Sequence, residues 1–159
     1  MDNQITNFED ALEKEMMGSS EHTLDNKFRL IIPSRLRKGL GEKFVMCRGM
    51  DNNIDVYPAA EWAKLCEKLN ALPKSNKAAR QYASFFTSSG DLCQIDSQNR
   101  VVINAALREW AGIDNKVCFV GKGATAQIWS VDRWNEYNDY DESIDINALA
   151  DEMYTNFGF

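Results

Sequence analysis

The sequence predicts an α+β fold, mainly β, in which two copies of one small unit share a core and carry peripheral helices. Three observations predict it: an internal repeat, an apolar run behind an Asp-x-x-x-Arg turn in each copy, and helically spaced apolar stripes between and after the copies. Shifting the chain by 71 residues lays Leu24-Asp25-Asn26-Lys27-Phe28-Arg29-Leu30-Ile31-Ile32 on Ile95-Asp96-Ser97-Gln98-Asn99-Arg100-Val101-Val102-Ile103, then Leu36-Arg37 on Leu107-Arg108 and Gly41 on Gly112. One further residue of shift brings Ile54-Asp55-Val56-Tyr57 onto Ala126-Gln127-Ile128-Trp129 and Trp62 onto Trp134. Two copies are too few for a solenoid, so the prediction is a pseudo-two-fold pair.

The elements follow in chain order. Residues 1–16 form an acidic extension without an apolar centre, expected to lack fixed structure. Residues 17–63 make the first unit: a strand up to Asp25, a turn, the run from Leu30, and a short helix with Pro33 at its first turn and Gly39 and Gly41 at its end. Strands at 44–47 and 54–57 complete it. Residues 64–90 connect the units. A helix over 58–72 aligns Trp62, Leu65, Cys66 and Leu69, and a second, after Pro73, aligns Ala78, Tyr82, Phe85 and Phe86. The second unit, 91–135, repeats the pattern with Asn104 as helix N-cap, Gly112 as terminator, and strands at 116–120 and 126–129. Helices over 131–140 and 145–157 lead through the acidic segment 136–159, with Trp134, Ile146, Leu149 and Met153 as apolar positions for core or subunit contact.

The composition excludes several classes. No apolar run approaches the roughly 20 residues that span a bilayer, and the acidic start resembles no export signal, so a cytoplasmic location is expected. Cys47, Cys66, Cys93 and Cys118 are widely spaced without a CxxC pair, and His22 stands alone. That pattern predicts reduced cysteines and no metal or cofactor site. No acid/base pair or activated nucleophile is legible, so an enzyme and a small-molecule substrate are not expected. The net charge of −6 is unevenly spread: residues 21–50 hold seven basic against three acidic side chains, while the two ends are acidic.

The turn itself suggests chemistry. An aspartate opening a turn can accept from the backbone amides just ahead and fix the loop, as Asp25 and Asp96 would. Four residues later Arg29 and Arg100 supply rigid donor forks suited to phosphate or a guanine edge. Lys27 and Gln98 lie between and can reach phosphates or bases. The plainer alternative is an Asp–Arg pair that only staples a hairpin. Arg37 and Arg108, on the short helices, read as structural or phosphate-facing.

The stretch Glu21 to Pro33 resembles the first signature of the MraZ family of bacterial transcription regulators, and Asp96 to Ile103 with Leu107-Arg108-Glu109-Trp110-Ala111-Gly112 resembles the second. Arg48-Gly49, Val56-Tyr57-Pro58, Glu61-Trp62, Ala71-Leu72-Pro73, Ile128-Trp129 and Gly158-Phe159 extend the likeness over nearly the whole chain. The resemblance implies two swapped-hairpin units of the AbrB/SpoVT kind forming a double-psi β-barrel-like core, and a ring of several chains. It implies nucleoid-associated binding of double-stranded DNA at short direct repeats in the promoter of the division and cell-wall gene cluster. It places the DNA contacts on Arg29 and Arg100, with Lys27 and Gln98 beside them. An antitoxin-like or scaffold module that binds other proteins is the alternative. The family's usual glycine before each arginine is replaced by Phe28 and Asn99 here. Asparagine tolerates a left-handed backbone; phenylalanine does not, so loop one is expected either to change its dihedrals or to carry strain.

Overall fold

The computed structural model describes residues 2–159, with side chains from residue 7 onward. The first unit supplies β1 (Ser19–Thr23), β2 (Arg29–Ile31), α2 (Ser34–Leu40), β3 (Lys43–Arg48) and β4 (Ile54–Pro58), preceded by α1 (Asp2–Lys14). Helices α3 (Ala59–Asn70) and α4 (Lys77–Thr87) bridge to β5 (Asp91–Gln94), β6 (Arg100–Val102), α5 (Ala105–Ala111), β7 (Lys116–Gly121) and β8 (Ala126–Ser130). Helices α6 (Val131–Tyr137) and α7 (Ile146–Phe157) close the chain.

All strand pairings are antiparallel, and they interleave the two copies. The main sheet runs β1-β7-β8-β4-β3-β5, so each unit's leading strand borders the other unit's hairpin. Thr23 pairs with Lys116, and its counterpart Gln94 pairs with Lys43, so the exchange repeats in register. The hairpins meet where β4 pairs with β8. β2 and β6 form a separate two-stranded ribbon. The main sheet is open, with β1 and β5 at its edges.

The alternation of each strand turns one face inward. Leu30, Ile32, Leu36, Phe44, Met46, Ile54 and Val56 meet Val101, Ile103, Leu107, Val117, Phe119, Ala126 and Ile128 in one buried cluster. Side clusters also obey the repeat: Trp62 packs on Tyr57 at 5.7 Å between ring centroids, and Trp134 on Trp129 at 5.5 Å. Asn104 caps α5 by accepting from the Leu107 amide, as expected.

Several expectations need correction. The extension expected to lack structure forms α1 as far as Lys14, because the body holds its end. Lys38 pairs with Glu13, and Met16 is buried and exchanges backbone bonds with Gly123. Gly39 does not end α2 but lies within it. A Cβ there would come within 2.6 Å of the Lys14 carbonyl oxygen, so its bareness lets the chain pass. On α4, Ala78 and Tyr82 are exposed, while Phe86 is buried and Ala83 and Phe85 pack beside it. The buried, free cysteines are Cys47, Cys93 and Cys118, with Cys66 half-buried. Burial pushes the Cys47 and Cys93 thiols up to about 12, so they stay protonated and unreactive near neutrality. Among the described residues no helix is long and apolar enough to cross a membrane.

Candidate nucleic-acid interface

The β2–β6 ribbon brings the two predicted loops together. Arg29 lies opposite Val102, Leu30 opposite Val101, and Ile31 opposite Arg100. Leu30 and Val101 point into the core, so period-two alternation sends Arg29, Ile31, Arg100 and Val102 to the other face. The two arginines therefore share one outward face as diagonal neighbours, about 7–8 Å apart at the backbone.

Each loop is built the same way. Asp25 accepts from the backbone N–H groups of Lys27 and Arg29, both at 2.9 Å, and its second oxygen accepts from Arg29 Nε at 2.6 Å. Asp96 accepts from Gln98 at 2.8 Å, from the Arg100 amide at 2.9 Å, and from Arg100 Nε at 2.8 Å. These bonds, the arginine backbone amide's first, hold both carboxyls below the usual carboxylate range. The loops also brace each other: the Ile32 amide donates to the Asn99 carbonyl at 2.9 Å, and the Ile103 amide to the Phe28 carbonyl at 3.0 Å.

The staple and the free fork coexist. Only Nε of each guanidinium is engaged by its aspartate; the terminal nitrogens of Arg29 and Arg100 make no other hydrogen bond to the described residues. The side chains are 26% and 23% exposed, so each arginine is partly open to solvent. Lys27 and Gln98 are exposed at the loop tips. The aspartate orients each fork without covering its tip.

Phe28 and Asn99 both have φ of 59°, so loop one keeps the shared conformation and bears the strain. The Arg108 guanidinium lies 3.4 Å from the Phe28 ring centroid while its Nε donates to the Ile103 carbonyl. Arg37 Nε donates likewise to the Ile32 carbonyl. The local excess of basic residues is thus partly consumed indoors. Arg35 donates to Ser20 Oγ and to the Phe119 carbonyl, and Arg48 to the Phe85 carbonyl. A groove of about 790 Å³ beside Arg48, Trp110 and Arg133 is lined by arginines already spent in this way: Arg133 donates to the Asn52 and Trp110 carbonyls.

Sequence reasoning found the aspartates and arginines but missed the exposed Ile31 and Val102 between them. An unbroken apolar run hides which members face outward.

Comparison with known proteins follows the same two-part division. The family model described as "MraZ protein, putative antitoxin-like" matches twice, over residues 16–85 and 86–157. A Transcriptional regulator MraZ of Heliobacterium modesticaldum is 45% identical over 123 residues, covering 77% of this chain and 86% of that protein. Those of Moorella thermoacetica and of a Thermoanaerobacter species are 43% and 44% identical, covering 86% and 87% of this chain and 95% and 96% of theirs.

Proposed function

The chain belongs to the MraZ family, and from that premise we propose that it is a sequence-specific DNA-binding transcription regulator, acting in the cytoplasm on the nucleoid. Its targets are short direct repeats in the promoter of the division and cell-wall gene cluster. The relatives named as transcriptional regulators support this reading. The observation that carries it is the pair of matched Asp–Arg staples, which orient two guanidinium tips on one face of one ribbon. Arg29 and Arg100 read bases, while Lys27 and Gln98 hold the flanking backbone. The core is read as barrel-like because the ribbon leaves the main sheet and lies against β1 and β5.

Each chain offers few contacts, so useful affinity requires several loops acting together in a ring. Helix α7 supports assembly: no residue of it is buried, and Ile146, Tyr154 and Phe157 are exposed. We assign this apolar, acidic helix to the groove between α3 and α4 of a neighbouring copy, which Leu69, Leu72, Ala79 and Ala83 line together with Lys74 and Arg80. Leu149→Glu should therefore lower the particle mass measured by light scattering; an unchanged mass removes α7 from the interface.

The deciding experiment is an anisotropy titration with the duplex upstream of the chain's own gene at two salt concentrations. Binding should weaken with a log–log slope of about −0.9 per phosphate contacted. Arg29→Ala and Arg100→Ala should abolish specific binding without unfolding the protein. Unaltered affinity in both variants removes the mechanism, and a tight protein partner without sequence-specific DNA affinity would favour an interaction module instead.

A further inference from the structure

The outward face of the ribbon is not uniformly polar. Ile31 is 56% exposed and Val102 is 52% exposed, whereas Leu30 and Val101, one position away on each strand, are buried. The register sets the four outward positions at the corners of a parallelogram, with the arginines on one diagonal and the aliphatics on the other. The bonds from Ile32 to Asn99 and from Ile103 to Phe28 fix the parity of the ladder. They put Arg29–Val102 and Ile31–Arg100 in the closer, non-bonded kind of pair, with Cα atoms about 4.5 Å apart. Each arginine therefore stands across the ribbon from one branched aliphatic residue.

A core has no use for these two side chains, and phosphate has none either. A two-stranded β-ribbon fits the major groove of duplex DNA, about 12 Å wide. Within that groove the apolar feature on the base edges is the thymine C5-methyl group. The arginine diagonal spans about two base-pair steps at 3.4 Å each, which sets the aliphatic groups over bases next to those the forks can reach.

We propose that Ile31 and Val102 read thymine methyl groups, and that the β2–β6 ribbon lies in the major groove with the arginines on guanine edges and the aliphatics on neighbouring thymines. This rests on the DNA-binding reading above and adds to it a base-specific role for two residues outside the Asp–Arg loops. The arrangement is specific in chemistry. Loss of a methyl from the DNA, or of branched carbon from the protein, removes the same contact.

The test uses the full-length protein and a duplex chosen by it from a randomised library, then resynthesised with single thymines replaced by deoxyuridine. Wild type should lose about 3–10-fold in affinity at particular replaced thymines, the scale of one buried methyl contact. Ile31→Ser and Val102→Ser should each weaken binding to the thymine duplex by a similar factor and become indifferent to deoxyuridine at one position. Ile31→Val and Val102→Ile should keep the sensitivity. Indifference of wild type to every replacement, or full sensitivity in both serine variants, overturns the proposal while leaving DNA binding intact. A fall in particle mass of the serine variants overturns it too, because the face would then belong to a contact between copies. If the library yields no preferred duplex at all, the DNA-binding reading fails and takes the proposal with it.

Discussion

Loop one and loop two accept the same backbone bonds on the same aspartate oxygens, and their pre-arginine residues share φ of 59°, yet one of these residues is phenylalanine and the other asparagine. Asparagine visits this region with little penalty, whereas a bulky residue gives up about 1–2 kcal/mol. The conformation is therefore imposed from outside the residue. The aspartate clamp and the cross-loop bonds leave the backbone one solution. The side chain that fits it poorly finds partial return by lying under Arg108. The lesson is that a glycine rule at a turn describes cost, not possibility.

The sharpest way to break the equivalence of the loops is through DNA. Arg29→Ala and Arg100→Ala each remove a fork valued at about 1–3 kcal/mol from every chain of the assembly, so the losses multiply and each should abolish specific binding. A clear inequality between them, measured on one duplex, would show that Phe28 has altered the grip of loop one. Next in size is stability. Asn99→Phe should destabilise by about 1–2 kcal/mol in urea unfolding, while Phe28→Asn should be nearly neutral because relief of strain offsets the lost stacking. A smaller effect tests that stacking directly. A double-mutant cycle on Phe28 and Arg108 should give a coupling of about 0.5–1 kcal/mol, and the same cycle on Asn99 and Arg37 should give none.

The smallest effect is on protonation, and here the loops should agree. Both aspartates have folded pKa values below the ordinary 3.8. Their contribution is present above that value and is lost as pH falls through the lower folded one. Carboxyl carbon NMR should show Asp25 and Asp96 each titrating beneath 3.8. Titration of either at the ordinary position would mean that its loop is open in solution.

Much of this was legible in the sequence, and the gaps have physical reasons. The repeat exposed both loops because Asp, Arg, Leu and Gly recur at one shift. The interleaving of strands was not legible from local pattern, since Ser19-Ser20-Glu21-His22-Thr23 is polar and its partner Lys116–Gly121 lies far along the chain. The spacing between copies also drifts: β3 begins at Lys43 and β7 at Lys116, because the turn after α5 is longer than the turn after α2. The apolar spacing of helix α4 points one residue out of phase with its buried face, since Tyr82 and Phe86 are both aromatic but only Phe86 is buried. The helix at the start escaped because its anchor is a glycine in α2 and a backbone exchange with Gly123.

The distance between β1 and its partner has a consequence for synthesis. Ser19 pairs with Val120, about a hundred positions later, so at about 5–20 residues per second β1 leaves the ribosome roughly 5–20 s before its neighbour. During that interval the strand is an unmatched edge. Its polar composition suits the wait, since an apolar strand held open that long would recruit other nascent chains. The sticky strands β3 and β4 form a local hairpin and need no such patience.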